Sequence, residues 1–204
     1  KTAKELINKR HVAHLGELPE PPEHHFVGRS RELLALERLL LVQEYAVLLG
    51  EGGEGKTALG VEAARWLVRI HRVKRVAFVC LEKATHRDAV LDAIGRQLLG
   101  KNYSVSAFAD LEQACLPVER ALRAEKTLLL LDNMETVLPP RAGGQPGAYD
   151  AETLAELLKL FRRFQKVGET RLLFTSRERL PKPFDAERNH LDIGPLAHWD
   201  AVEM

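Results

Sequence analysis

Gly50-Glu51-Gly52-Gly53-Glu54-Gly55-Lys56-Thr57 decides the fold of this 204-residue chain, because it matches the phosphate-cradling pattern GxxxxGK[ST] and stands where that loop must stand. Before it, Tyr45-Ala46-Val47-Leu48-Leu49 reads as a short buried strand; after it, residues 58–70 read as a helix apolar on several sides. Strand, loop and helix in that order are what the pattern requires, and they separate it from a plain glycine-rich turn. Four glycines allow backbone conformations that a Cβ would forbid and let the chain approach phosphates closely. Backbone N–H groups and the helix N-terminus then face the anion. In such a loop Lys56 reaches the β- and γ-phosphates, and Thr57 places a hydroxyl on Mg²⁺.

Apolar runs of strand length recur at 75–81 (RVAFVCL), 127–131 (TLLLL) and 171–175 (RLLFT), with a fifth candidate at 190–193. Between them the leucines at 33, 36, 39 and 40 keep one helix face apolar from Ser30 to about Val42, with Ser30 as its capping residue. Thr85-His86-Arg87-Asp88 has the form of a capping box before a helix ended by Gly100. Phe108, Leu111, Cys115, Val118 and Leu122 suggest another helix, in which Pro117 is expected to produce a break or kink. Asp150 caps a helix whose inward face is Leu154, Leu157, Leu158, Phe161 and Phe164, ended by Gly168. Continuous apolar strands alternating with helices predict an α/β architecture, a mostly parallel sheet covered on both faces.

Composition agrees with an ordinary globular domain: 45% hydrophobic and 29% charged residues. A net charge of +1, from 30 basic and 29 acidic residues, leaves a nucleic-acid partner unsupported. Cys80 and Cys115 lie in apolar patterns and form no CxxC pair, which suggests reduced thiols in a cytoplasmic protein. The apolar runs are too short to span a membrane, and no export signal is evident. Residues 1–25 are polar and end in a proline-rich stretch, so an extended spacer from a preceding domain is expected there. Residues 139–147 (PPRAGGQPG) have the composition of a mobile surface loop. The absence of an initiator Met, and a helix that begins at His198-Trp199-Asp200 near the end, lead us to expect a piece of a longer protein: core at 26–196, and the start of a following helical subdomain at 197–204.

A triphosphate site needs a metal anchor. The run Leu128-Leu129-Leu130-Leu131-Asp132 offers a buried strand ending in a carboxylate, so Asp132 is expected to bind the Mg²⁺ shell opposite Thr57. Asn133 follows it where many ATPases have a second acid. Glu135 is the nearest candidate to orient an attacking water, with a plain loop charge as the alternative. Arg177, in Thr175-Ser176-Arg177-Glu178, can reach a γ-phosphate from the end of its strand or simply pair with Glu178.

These residues carry a resemblance. Phe26-Val27-Gly28-Arg29-Ser30-Arg31-Glu32-Leu33 resembles the hhGRxxEL motif of the STAND class of signalling NTPases, which includes the NB-ARC and NACHT proteins. GEGGEGKTAL resembles the phosphate loop of that class, LLLLDNMET its metal-binding strand and FTSR its first sensor; Leu191-Asp192-Ile193-Gly194-Pro195-Leu196 resembles the segment whose proline lies against adenine. The likeness runs over about residues 26–204. It implies a three-layer P-loop NTPase with strand order 5-1-4-3-2, binding ATP or ADP with Mg²⁺. By the same resemblance Phe26, Val27 and Arg29 contact the adenosine side, and Pro195 closes the adenine pocket. Gly50, Gly52, Gly53, Glu54, Gly55, Lys56, Thr57 and Ala58 hold the phosphates, Thr57 and Asp132 the metal, while Lys56, Asp132, Glu135 and Arg177 serve catalysis and sensing. The class works as an ATP/ADP switch: an effector before residue 1, a sensor after residue 204, self-association when ATP is bound, and slow hydrolysis in keeping with Asn133. Two alternatives remain, a remodelling ATPase of the AAA+ kind with steady turnover, and the NTPase module of a DNA-binding regulator.

Overall fold

The computed structural model describes residues 15–20, 28–139 and 150–195. Phe26, Val27 and Leu196, the loop at 140–149 and the segment 197–204 lie outside the described residues. Five strands, β1 (Tyr45–Leu49), β2 (Arg75–Cys80), β3 (Thr127–Asp132), β4 (Arg171–Ser176) and β5 (His190–Asp192), form one sheet in the order β2-β3-β4-β1-β5. Every pairing is parallel, with Leu48 opposite Thr175 and Cys80 opposite Asp132. Read from the other edge, this is the 5-1-4-3-2 order that the resemblance implied.

The side-chain period of two sorts each strand between two cores. Ala46, Leu48, Leu128, Leu130 and Leu173 face helices α1 (Ser30–Val42) and α2 (Lys56–Arg69). Val47, Leu129, Leu131, Leu172 and Phe174 face α3 (Arg87–Leu99), α4 (Leu111–Ala124) and α5 (Ala151–Gln165). This gives three layers, with β1, β3 and the first five residues of β4 beyond its opening arginine fully buried, as continuous apolar strands require. Helix α2 lies close on the sheet because Gly60 has no side chain: a Cβ there would stand 3.3 Å from Leu130 Cδ1.

Four local expectations are corrected. Ser30 is not the cap of α1 but its first helical residue; Arg29 occupies the cap position with φ 56°, and its side chain makes no capping bond. The box at Thr85 is not formed either. Backbone bonds from Lys83 and Ala84 to the Cys80 carbonyl carry the turn forward, and α3 starts at Arg87 behind His86. Pro117 sits inside a continuous α4, whose face of Ala114, Cys115, Val118, Ala121 and Leu122 is buried; packing of that face outweighs one missing backbone bond. Finally, residues 15–20 do not behave as an unpacked spacer. Gln97 uses its side-chain amide to bond both the N–H and the carbonyl of Phe78 on the edge strand β2, at 2.9 and 2.8 Å, and accepts the Glu17 N–H at 2.9 Å. Arg65 holds the Pro19 carbonyl, and Leu18 packs on the α1–α2 side of the core. The strap and Gln97 together cover one edge of the sheet.

Candidate functional site

Parallel strands deliver their carboxyl ends to one side of the sheet, so the turns that leave β1, β3 and β4 converge there. The loop at 50–55 reverses the chain through Gly53 (φ 84°) and Gly55 (φ 80°), both left-handed, before α2 begins at Lys56. Gly50 has no room for a side chain, since a Cβ would meet Glu54 Oε2 at 2.5 Å and the Ile193 carbonyl at 2.7 Å. Glu54 accordingly braces the loop, its carboxylate accepting the Glu51 N–H.

Lys56 is not solvent-facing. It is 6% exposed and donates from Nζ to the carbonyls of Gly50 and Glu51, both at 2.8 Å. Its ammonium therefore stands within the turn of the loop. Thr57, one residue on, donates from Oγ1 to Asp132 Oδ1 at 2.8 Å, which unites the loop with the end of β3 across 75 positions. A second hydroxyl, from Thr175 on β4, donates to the same oxygen at 2.6 Å and accepts the Asn133 N–H at 3.0 Å. Asp132 is 3% exposed, and burial pushes its carboxyl above the usual carboxylate range. The bonds from Thr175 and Thr57 pull it back down, while the charges of Glu135 and Glu82 push it up.

Asn133 takes a left-handed conformation (φ 60°) that turns the chain into a short 3-10 segment, Met134–Thr136. Glu135 thereby comes to face β4. Its Oε1 lies 3.0 Å from Arg177 Nε, and its Oε2 accepts the Arg177 backbone N–H at 3.3 Å. The Arg177 guanidinium lies over the phosphate loop, so that a Cβ on Gly52 would stand 3.2 to 3.4 Å from it. Arg177 thus has a carboxylate partner on the turn after β3, which its sequence neighbourhood did not indicate.

Arg29 clasps three segments. Its Nη2 donates to the Glu54 carbonyl at 2.8 Å and the Gly194 carbonyl at 2.6 Å, and its Nη1 to Glu32 Oε1 at 3.3 Å. Ala58 and Pro195 are exposed near these elements. Thus the described candidates Arg29, Gly50, Gly52, Glu54, Lys56, Thr57, Asp132, Glu135 and Arg177 are linked through bonds or close contacts at one end of the sheet, with Gly53 and Gly55 in the same loop. The bond from Thr175 to Asp132 was not anticipated, because only the parallel register sets these two side by side. A cleft of about 220 Å³ lined by Glu37, His71, Arg72, Lys126, Glu169 and Arg171 lies at the opposite end of the strands, away from the phosphate loop.

The oxygen set suits a hard divalent cation: one carboxylate and one hydroxyl, 2.8 Å apart, at the mouth of a phosphate loop. Among the described residues no cluster of three or more His, Cys, Asp or Glu could hold a metal ion. Among the same residues no helix is long and apolar enough to cross a membrane.

No family model matches the chain. An uncharacterized WD repeat-containing protein of Nostoc sp. (strain PCC 7120) is 28% identical over 167 residues, covering 76% of this chain and 13% of that protein. Among solved structures, the Aeropyrum pernix ORC1 protein in complex with DNA covers 89% of this chain with a TM-score of 0.60 and 19% identity. Cdc6p of Pyrobaculum aerophilum covers 87% with a TM-score of 0.57 and 17% identity. The ADP form of the Aeropyrum pernix ORC2 protein covers 85% with a TM-score of 0.54 and 16% identity. The chain spans 47% to 50% of these three structures. At such identities the likeness is one of fold, and that fold, with its 5-1-4-3-2 parallel sheet and glycine-rich loop after β1, is the P-loop NTPase fold.

Proposed function

We propose that this chain is the nucleotide-binding module of a STAND-type regulator, a switch set by ATP and ADP with Mg²⁺ and capable of slow hydrolysis. The observation that carries the reading is the bonding of Thr57 to Asp132 beneath a loop on which the Arg177 guanidinium rests. In this reading Lys56 exchanges its two loop carbonyls for phosphate oxygens, a replacement of neutral acceptors by charged ones. Thr57 and Asp132 hold the cation, which neutralises phosphate charge when bound. Arg177 meets a γ-phosphate and no equivalent group in ADP, so the two nucleotides favour different arrangements of the same loops. Asn133 supplies no ionisable group where a second acid would serve as base, in keeping with slow turnover.

Adenine contact by Phe26, Val27 and Pro195 belongs to this reading, as do an effector before residue 1, a sensor after residue 204, cytoplasmic location and self-association in the ATP state. The WD repeats named in the Nostoc relative, of which the chain matches 13%, support a repeat sensor in the longer protein. The second reading is an AAA+ ATPase with steady turnover, favoured by the fold likeness to ORC and Cdc6 proteins. Turnover separates them: below about one per minute supports the switch, whereas a rate near ~10 per second supports the AAA+ reading.

The experiment is to identify nucleotide that copurifies with the chain and to titrate it with Mg-ATP and Mg-ADP. Tightly held ADP is expected, and Lys56→Ala is expected to weaken both nucleotides by roughly tenfold or more. No binding of either nucleotide, or unchanged affinity in Lys56→Ala, overturns the proposal.

A further inference from the structure

Two side chains that the proposed function assigns to separate tasks at a triphosphate bind each other. Arg177 is held by Glu135 through two contacts, Nε to Oε1 at 3.0 Å and backbone N–H to Oε2 at 3.3 Å. The grip is local and directional. Glu135 is anchored on the 3-10 turn that the left-handed Asn133 produces, and that turn is tied to β4 by the Asn133 N–H bond to Thr175. The Glu135 side chain is 19% exposed and that of Arg177 55% exposed, so the carboxylate is the fixed partner and the guanidinium the movable one. Movement matters because the guanidinium lies against Gly52, in the middle of the phosphate loop.

We infer that Glu135 is a specificity-determining residue: it competes with the γ-phosphate for Arg177 and so sets the preference of the site between ATP and ADP. The inference rests on the proposed nucleotide site and deepens it. A guanidinium fork can serve a carboxylate or a phosphate bidentately, and the Nε edge engaged by Glu135 must be yielded or shared when a γ-phosphate claims it. ADP brings no γ-phosphate, so the ion pair persists in the ADP state at no cost. ATP binding must break or loosen it. Removing the carboxylate therefore favours ATP while leaving ADP almost unchanged. A pair this exposed has a small strength, and a two- to fivefold gain is the scale to expect.

The test is a double-mutant cycle read by equilibrium binding, with Mg-ATP and Mg-ADP each displacing a fluorescent mant-ADP probe. Glu135→Gln keeps shape and hydrogen-bonding capacity while removing the charge. It is expected to tighten ATP about two- to fivefold and to leave ADP within error. Arg177→Ala is expected to weaken ATP more than ADP. In the Arg177→Ala background, adding Glu135→Gln is expected to change nothing, because the competitor has lost its object. An ATP gain that survives in that background marks plain charge repulsion between Glu135 and the phosphates, and it overturns the competition. Equal affinities in wild type and Glu135→Gln also overturn it, since a residue that only orients a water moves turnover and not ground-state ATP affinity. Glu135→Ala serves as the second variant and is expected to give the same ordering. Wild-type protein that binds mant-ADP but shows no Glu135 effect rejects this inference alone; wild-type protein that binds no nucleotide rejects the proposed function beneath it.

Discussion

Asp132 is where local chemistry is most constrained, because a carboxylate at 3% exposure must be compensated or protonated. Two threonine hydroxyls, one from each neighbouring element, compensate it on a single oxygen. Thr175→Val keeps the shape of the side chain and removes one donor. Because the lost bond is to a charged group, a loss of about 1.5–3 kcal/mol is expected at neutral pH, measured as a shift in denaturant midpoint. The sign with pH follows from the direction of the shift. Burial raises the native carboxyl above its unfolded value, so the native state holds more protons in that window and stability falls as pH rises through it. Without Thr175 the native value rises further, and the deficit of the variant is expected to shrink toward acid, where Asp132 is protonated in both proteins. A deficit independent of pH would assign Thr175 to packing alone. Lys56 teaches a related point: the loop carbonyls draw its ammonium in, since they are acceptors within reach of a side chain rooted at the first residue of α2.

At the scale of elements, caps and turns decide where helices start, and they divide into those visible in the sequence and those made by the fold. Asp150 is visible. Its carboxylate accepts the N–H groups of Glu152 and Thr153 and the Thr153 hydroxyl, and these bonds, the hydroxyl first, hold it below the usual carboxylate range. Asp150→Ala is expected to lower the melting temperature by about 2–4 °C at neutral pH. Here the native value is depressed, so the contribution is complete above the ordinary carboxylate range and is lost as pH falls through the native value. The gap in melting temperature between wild type and variant is expected to close in acid, and a gap unchanged between neutral and strongly acidic solution would rule out a charged cap. Thr85 and Ser30 look like caps by type and are not. A tight turn closed on the Cys80 carbonyl moves one start to Arg87, and a left-handed Arg29, whose side chain is tied to Glu54 and Gly194, moves the other back to Ser30.

Across the whole molecule, Arg29 is the residue whose removal reaches furthest. It joins the start of α1 to the phosphate loop and to the end of β5, across 25 and 165 positions. Because Nη2 serves the two carbonyls while Nη1 reaches Glu32, the branched guanidinium is needed for all three contacts, and Arg29→Lys is expected to lose at least one of them and destabilise the fold by roughly 1–3 kcal/mol. The check is chemical denaturation; stability equal to wild type would show that the clasp is incidental. The same side chain that the resemblance assigns to the adenosine side also holds the phosphate loop to the sheet edge.

By itself the sequence determined the class of the fold and named the candidates for its site. Strand-length apolar runs between amphipathic stretches can be buried only as a parallel sheet with helices on both faces, and the residues at 50–57 can form only a glycine-dependent turn between a strand and a helix. What tertiary structure alone decided is which of those residues touch. Thr175 meets Asp132 because β3 and β4 are adjacent and in a register that no local pattern encodes. Glu135 meets Arg177 because the turn made by a left-handed Asn133 carries it toward β4. Gln97 bonds the β2 edge and the strap at 15–20, residues that read as a plain spacer. Short-range periodicity records burial, which each residue feels by itself; pairing across 19 to 165 positions depends on strand order and register, which are properties of the folded chain as a whole.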